Sequence, residues 1–177
     1  TIDGNEGGYE SDALLQISKG VGSVAPSPTL KDLIFRNPYN GSLTGGINAA
    51  NLSGVEDAFG ENLEFYGFSK APLNWTGGSK RGLFRGYRVK GAETGFGRAP
   101  GGQVNNASRF QLMQFDILNV VGRGFLVDGD PGKDAPDDVT ISHGRIKSTG
   151  VAGKGGNGSA AGIHATGAGD AERAKRL

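Results

Sequence analysis

Apolar residues recur along this chain at every second position, in short runs. In "TLKDLIFRN", residues 29–37, Leu33 and Phe35 fall on one side, and Ile34 and Arg36 on the other. That two-residue period is the mark of a strand with one buried face. A helical reading fails, because Gly and Pro interrupt every window and no apolar stripe of period 3.6 survives. Only the terminal "GDAERAKRL" is helix-competent, and it is too short to be stable alone.

The runs form a repeating unit: a short alternating strand, a polar or Gly corner, a second short strand, then Gly followed by an apolar residue. It is read in "LIFRNPYNGSLTGGINAAN" from Leu33, "LEFYGFSKAPLNWTGG" from Leu63, "LFRGYRVKGAETGFG" from Leu83, "FQLMQFDILNVVGRGFLVDG" from Phe110, and "VTISHGRIKSTG" from Val139 with "AGIHATG" after it. First inward anchors are Phe35, Phe65, Phe84, Leu112 and Ile141, spaced 30, 19, 28 and 29 residues apart. Second anchors are Ile47, Leu73, Phe96, Phe125 and Ile163, and Trp75 shares the inward side of Leu73. A partial earlier unit lies in residues 1–5 and 13–20. Such repetition predicts a solenoid whose turns stack about 4.8 Å apart. Its insertions become surface loops, namely "SKGVGSVAPSP", "NLSGVEDAFGEN", "GRAPGGQVNNAS" and "STGVAGKGGNGSAAG". The competing arrangement is an antiparallel β-sandwich, which calls for hairpin turns such as the Asn-Gly of "YNGS" but leaves the Gly-apolar element without a place.

Composition sharpens this. Glycine supplies 33 of 177 residues, well above the usual ~7%, and fits many strands joined by tight turns. The formal charge of +1 disfavours a general nucleic-acid or membrane-surface binder. No Cys is present, which removes disulfides, thiolate metal sites and Cys nucleophiles; His143 and His164 alone do not make a His-rich metal site. No apolar run approaches a membrane span. The chain opens at Thr1 without Met or a signal-like segment, so a fragment or processed product is expected. Of five Asn-x-Ser/Thr sequons (Asn40, Asn51, Asn74, Asn106 and Asn157), each reads as composition unless the source secretes through an ER.

The pattern, and "TLKDLIFRN" with Asn37 at its corner, resembles the right-handed parallel β-helix of the pectin-lyase-like superfamily, most of all bacteriophage tailspikes. The resemblance covers residues 1–167, with 168–177 a polar tail, and implies an all-β right-handed parallel β-helix of about five to six coils. It is specific for fold and poorly so for activity. "DDVTISHGRIKSTG", residues 137–150, shares fragments with polygalacturonase active sites, but by repeat position the required acid slots hold Arg123 and the Ser159–Ala160 run. Asp137 and Asp138 lie together in one turn, and inverting hydrolysis needs two carboxyls about 6.5–9.5 Å apart. The stretch is therefore one coil, with a corner at His143 level with Asn37, Gly67, Gly86 and Gln114, and with Arg145 level with Arg88 and Asp116 as a cross-coil charge ladder.

Candidate chemistry lies on the outward positions Ile34/Arg36, Glu64/Tyr66, Leu83/Arg85, Gln111/Met113 and Thr140/Ser142, and in "VDGDPGKDAPDD". A saccharide would stack on Tyr66, and acidic sugars would pair with Arg36 and Arg85. The tailspike resemblance implies an acid and a base on neighbouring coils; the candidates are Asp128 and Asp130, with Glu64 or Asp116 across the face. Asp128, Asp130, Asp134, Asp137 and Asp138 also invite a Ca²⁺ reading, but the spacing does not complete an EF-hand loop; neither metal nor cofactor is assigned. The resulting expectation is a homotrimeric virion or cell-surface protein, associated with other tail proteins, that binds and in one version depolymerises a host surface polysaccharide. A free extracellular lyase or hydrolase and a purely structural spike are the alternatives.

Overall fold

The computed structural model of the chain describes residues 1–3, 13–36, 48–67, 70–90, 101–120, 123–130, 133, 135–147 and 162–165. Thirteen strands and no helix occur among them: β1 (Ile2–Asp3), β2 (Ala13–Ser18), β3 (Thr29–Arg36), β4 (Asn48–Ser53), β5 (Phe59–Tyr66), β6 (Leu73–Thr76), β7 (Lys80–Lys90), β8 (Gln103–Asn105), β9 (Ser108–Leu118), β10 (Phe125–Asp128), β11 (Asp137–Ser142), β12 (Arg145–Lys147) and β13 (Ile163–Ala165). The chain is all-β. From β2 to β11 it alternates between two sheets, odd-numbered strands in one and even-numbered in the other. The first sheet runs β1-β3-β5-β7-β9-β11, with β12 also on β9; the second runs β13-β10-β8-β6-β4-β2. Every strand pairing is parallel, which removes the antiparallel sandwich.

The register shows why these residues make these strands. Phe35, Phe65, Val89, Ile117 and Ile146 form one inward column of the first sheet, and Leu33, Leu63, Tyr87 and Phe115 another. From the second sheet Leu52, Leu73, Trp75, Val104, Phe125 and Val127 meet them, all fully buried. Rings stack from strand to strand: Phe35 on Phe65 at 5.0 Å and 8°, Phe84 on Phe110 at 5.4 Å, and Phe110 on Phe125 at 5.8 Å, with Trp75 edge-on to Phe84 at 5.9 Å. Only Phe35 and Phe65 are in-register partners; Phe84 packs diagonally on Phe110, whose own partner is Gly82, and Phe110 meets Phe125 across the two sheets.

The first sheet is not a simple alternation. Left-handed residues punctuate it every five positions: Asp57, Asn62 and Gly67 near β5; Arg81 and Gly86 in β7; Arg109, Gln114 and Asn119 near β9; Asp138 and His143 near β11. Between them the order is in, out, in, out; β5 buries Gly60, Leu63 and Phe65 while Glu61 and Glu64 face out. The left-handed residue resets the alternation, so both of its flanking segments keep an apolar inner side. These corners also stack in columns, with Asp32, Asn62, Gly86, Gln114 and His143 at one level. Asn62 Nδ2 donates to Asp32 Oδ1 at 2.9 Å along that column. A Cβ on Gly86 (φ +65) would meet Asn62 Oδ1 at 2.7 Å and Asn62 N at 3.2 Å, so glycine is required there by space as well as by conformation.

Several expectations are corrected. Phe84 is level with Gly60, not with Phe65, whose partner is Val89. "NLSGVEDAFGEN" is not a loop but the end of β4 and the start of β5, and "GRAPGGQVNNAS" contains β8. His143 is a corner as expected, but Gly67 belongs one corner later. Ile163 is 43% exposed rather than a buried anchor. Trp75 is inward, at 0% exposure. Asn37, Ile47, Phe96, Asp134, Ser159 and Ala160, the greater part of "STGVAGKGGNGSAAG", and the terminal "GDAERAKRL" lie outside the described residues.

Candidate functional site

Four outward columns cross the strands of the first sheet, and successive residues within each lie one strand spacing, about 4.8 Å, apart. The first holds Thr29, Phe59, Leu83, Gln111 and Thr140; the second Lys31, Glu61, Arg85, Met113 and Ser142; the third Ile34, Glu64, Arg88, Asp116 and Arg145; the fourth Arg36, Tyr66, Lys90, Leu118 and Lys147. Asp3 stands at the head of the fourth, level with Arg36.

Charges in the second and third columns are mutually committed. Glu61 takes Lys31 Nζ at 3.2 Å and the Nε–H of Arg85 at 2.7 Å. Those two cations also lie over the Phe59 ring, at 5.3 and 5.4 Å from its centre. Glu64 takes the phenol of Tyr66 at 2.7 Å and Arg88 at 3.1 Å. Asp116 is gripped by both arms of Arg145, at 2.9 and 2.8 Å. The third column therefore reads minus, plus, minus, plus over Glu64, Arg88, Asp116 and Arg145. Hydrogen bonds from Arg85, then Lys31, hold the Glu61 carboxyl below its ordinary range, and those from Arg145 do the same for Asp116. The bond to Glu64 raises the Tyr66 phenol. A further acid-base cluster lies at the start of β7, where Arg81 binds Asp57 at 2.6 Å and Glu56 at 2.7 Å and lowers the Asp57 carboxyl.

The fourth column differs. Arg36 lies over the Tyr66 ring at 5.6 Å. Arg36, Lys90 and Lys147 are exposed and enter no ion pair among the described residues.

The candidate site residues thus divide. Tyr66, Arg36, Glu64, Arg85 and Asp116 share the outer side of the first sheet, but Arg85 stands beside Glu61 in the second column, away from Arg36. Glu64 and Asp116 are two strands apart with Arg88 between them. Asp128 and Asp130 belong to the other sheet, at and just beyond the end of β10. Asp130 forms a two-bond ring with Asn106: its N–H donates to Asn106 Oδ1 at 2.7 Å, and Asn106 Nδ2 donates to Asp130 Oδ2 at 2.6 Å. Lys133 adds a contact at 3.7 Å, and Asp128 Oδ1 accepts the N–H of Gly129 at 3.0 Å. This is the bonding of a turn lock.

Other expected positions are accounted for on the second sheet. Asn51 Nδ2 donates to Gln16 at 2.8 Å and Asn74 Nδ2 to Asn51 at 2.9 Å, an amide ladder across β2, β4 and β6. Two sequon asparagines are therefore structural, and a third, Asn106, is 6% exposed. Arg123 gives its carbonyl to Gly101 N–H at 2.9 Å. Among the described residues no group of His, Asp and Glu has the arrangement to hold a metal ion. Lys90 and Lys147 are site residues absent from the sequence-based candidates; a five-residue shift of the first two repeat units would have brought them level with Arg36.

Comparison of the chain with protein-family models, with curated proteins and with solved structures finds no match.

Proposed function

We propose that the chain is a glycan-binding module of a tailspike-like virion or cell-surface protein, folded as a right-handed parallel β-helix and assembled as a homotrimer with other tail proteins. The observation that carries the reading is the outer side of the first sheet. There, two rings of β5 (Phe59 and Tyr66) lie beneath cations, and cations recur on alternate strands in the second, third and fourth columns. A long polymer lying across the strands would meet a cation at every second strand and a ring for a sugar to stack on at β5.

The proposed role is binding rather than cleavage. A general acid must keep its proton near neutral pH, which calls for a raised carboxyl. Asp116 is shifted the other way by Arg145, and Glu64 is engaged by Arg88 and Tyr66. Asp130 is tied into the Asn106 turn on the opposite sheet.

The test is a glycan array carrying capsular and lipopolysaccharide chains, with sedimentation of the protein and a reducing-end assay in parallel. Retention of at least one polysaccharide by a trimer, with no new reducing ends, is expected. A folded protein that retains no glycan overturns the proposal in favour of a structural spike. Shortened oligosaccharides overturn the non-catalytic half, and loss of that shortening in Asp128→Asn or Asp130→Asn would assign the acids.

A further inference from the structure

The fourth outward column defines a ligand class more narrowly, resting on the glycan-binding reading above. We propose that Arg36, Lys90 and Lys147 form a linear site for an acidic polysaccharide carrying one negative group per disaccharide.

Three observations lead to it. First, the cations of the second and third columns are already ion-paired within the sheet: Arg88 and Arg145 with Glu64 and Asp116, and Lys31 and Arg85 sharing Glu61. In the fourth, the positions between the cations are Tyr66 and Leu118, neither of them acidic, and the one acid, Asp3, lies at the far end beyond Arg36. Second, the cations occupy alternate strands, β3, β7 and β12, so they recur every two strand spacings, roughly 9–10 Å. An extended glycan that is charged on every second sugar presents anions at a matching interval, whereas a uniformly charged one leaves half its anions opposite Tyr66 and Leu118. Third, all three side chains are exposed, each next to an inward residue of the apolar column Phe35, Val89 and Ile146. The backbone register therefore fixes the spacing of their Cα atoms at every second strand.

The same features disfavour a nucleic acid. A single strand calls for a run of stacking platforms and a denser basic groove. Here one ring lies in the column, already covered by Arg36, and the net charge of the chain is +1.

The test measures binding of the full chain to hyaluronan, which carries one carboxylate per disaccharide, to polygalacturonate, which is charged on every sugar, to dextran as neutral glycan, and to a single-stranded DNA of matched charge. Hyaluronan is expected to bind at least tenfold tighter than polygalacturonate at equal charge, and the log–log salt slope to fall by about one for each of Lys90→Gln and Lys147→Gln. The double variant should lose hyaluronan binding while keeping its circular dichroism and urea midpoint; Lys19→Gln, which removes one charge just past the end of β2, should bind as the parent does. Glycan binding that ignores Lys90 and Lys147, or that prefers dextran, overturns this site and leaves the broader glycan reading standing. Equal or tighter binding of the DNA overturns it in favour of a nucleic-acid site. Absence of any glycan binding by the folded chain overturns both.

Discussion

Gly60→Ala inserts a single methyl group at the tightest point of the core. Gly60 lies in β5, level with Phe84 of β7. A Cβ built there stands 2.7 Å from Phe84 Cε1, nearer still to Cδ1, and 3.1 Å from Leu63 Cδ1. Phe84 cannot yield easily, because it is fully buried, stacked on Phe110 at 5.4 Å and met edge-on by Trp75 at 5.9 Å. The backbone of Gly60 is not left-handed, so Ala is conformationally acceptable and even gains a few tenths of a kcal/mol from the unfolded state. The destabilisation is therefore overpacking alone, expected at about 2–3 kcal/mol. With a urea slope of about 2 kcal/mol per molar, the midpoint should fall by roughly 1 M. Phe84→Ala by itself should cost about 3–5 kcal/mol through the cavity it leaves. In the double variant the new methyl points into that cavity, so the pair should be no less stable than Phe84→Ala alone, a coupling of about 2 kcal/mol. The assay is urea unfolding of the four proteins followed by far-ultraviolet circular dichroism. Strict additivity would refute the contact, and with it the register that places Gly60 against Phe84.

Ser79→Ala probes the turn between β6 and β7: its buried hydroxyl accepts the N–H of Val55 at 3.1 Å and reaches the carbonyls of Thr76 at 2.6 Å and Leu52 at 3.2 Å. Loss of the hydroxyl strands a buried N–H and should lower stability by about 1–3 kcal/mol in the same unfolding assay, whereas Arg109→Gln, at an exposed corner, should change it little. Acid should weaken the first sheet in a defined direction. The Asp57, Glu61 and Asp116 carboxyls are depressed by Arg81, Arg85 and Arg145, so their contribution is present above the unfolded carboxyl range near 4 and is lost as pH falls through the folded values. Urea midpoints should stay level from pH 7 to about 5 and fall below about 4, and Asp116→Asn should flatten part of that fall; an unchanged acid profile in that variant would refute the Arg145 pairing.

Much of this was legible in the alternation of apolar and polar residues. Strand class, the inward anchors Phe35, Phe65, Phe84 and Leu112, and the mutual register of Arg88, Asp116 and Arg145 all follow from it. What failed was the join between the second and third repeat units, and the failure has one cause. Each segment between left-handed corners carries the same in, out, in, out order, so matching Phe84 to Phe65 instead of Gly60 satisfies the apolar pattern equally well. The mistake is five residues, one segment. A glycine at the true partner position hid the register, because the space it leaves is filled by a ring from the next strand. Corners are hard to see for a related reason. Arg81, Arg109 and Gln114 adopt the left-handed conformation without being residues that favour it, so stacking imposes what local preference does not supply. The candidate site suffered most, since the five-residue error placed Arg85 beside Tyr66 and separated Lys90 and Lys147 from Arg36.

The five-residue segment also sets the unit in which this chain can change length. Adding or removing one residue between corners would turn an inner side chain out and an outer one in for the rest of that segment. Adding or removing five returns every later residue to its side and every corner to a corner, altering only the length of the strand. Offsets of 24, 28, 29 and 30 residues between paired positions coexist in the first sheet, so the sheet tolerates unequal lengths of chain between its strands. Natural or designed variants of this chain should accordingly accept whole five-residue blocks within the first sheet and reject single-residue insertions there, while the turns between sheets absorb the odd lengths.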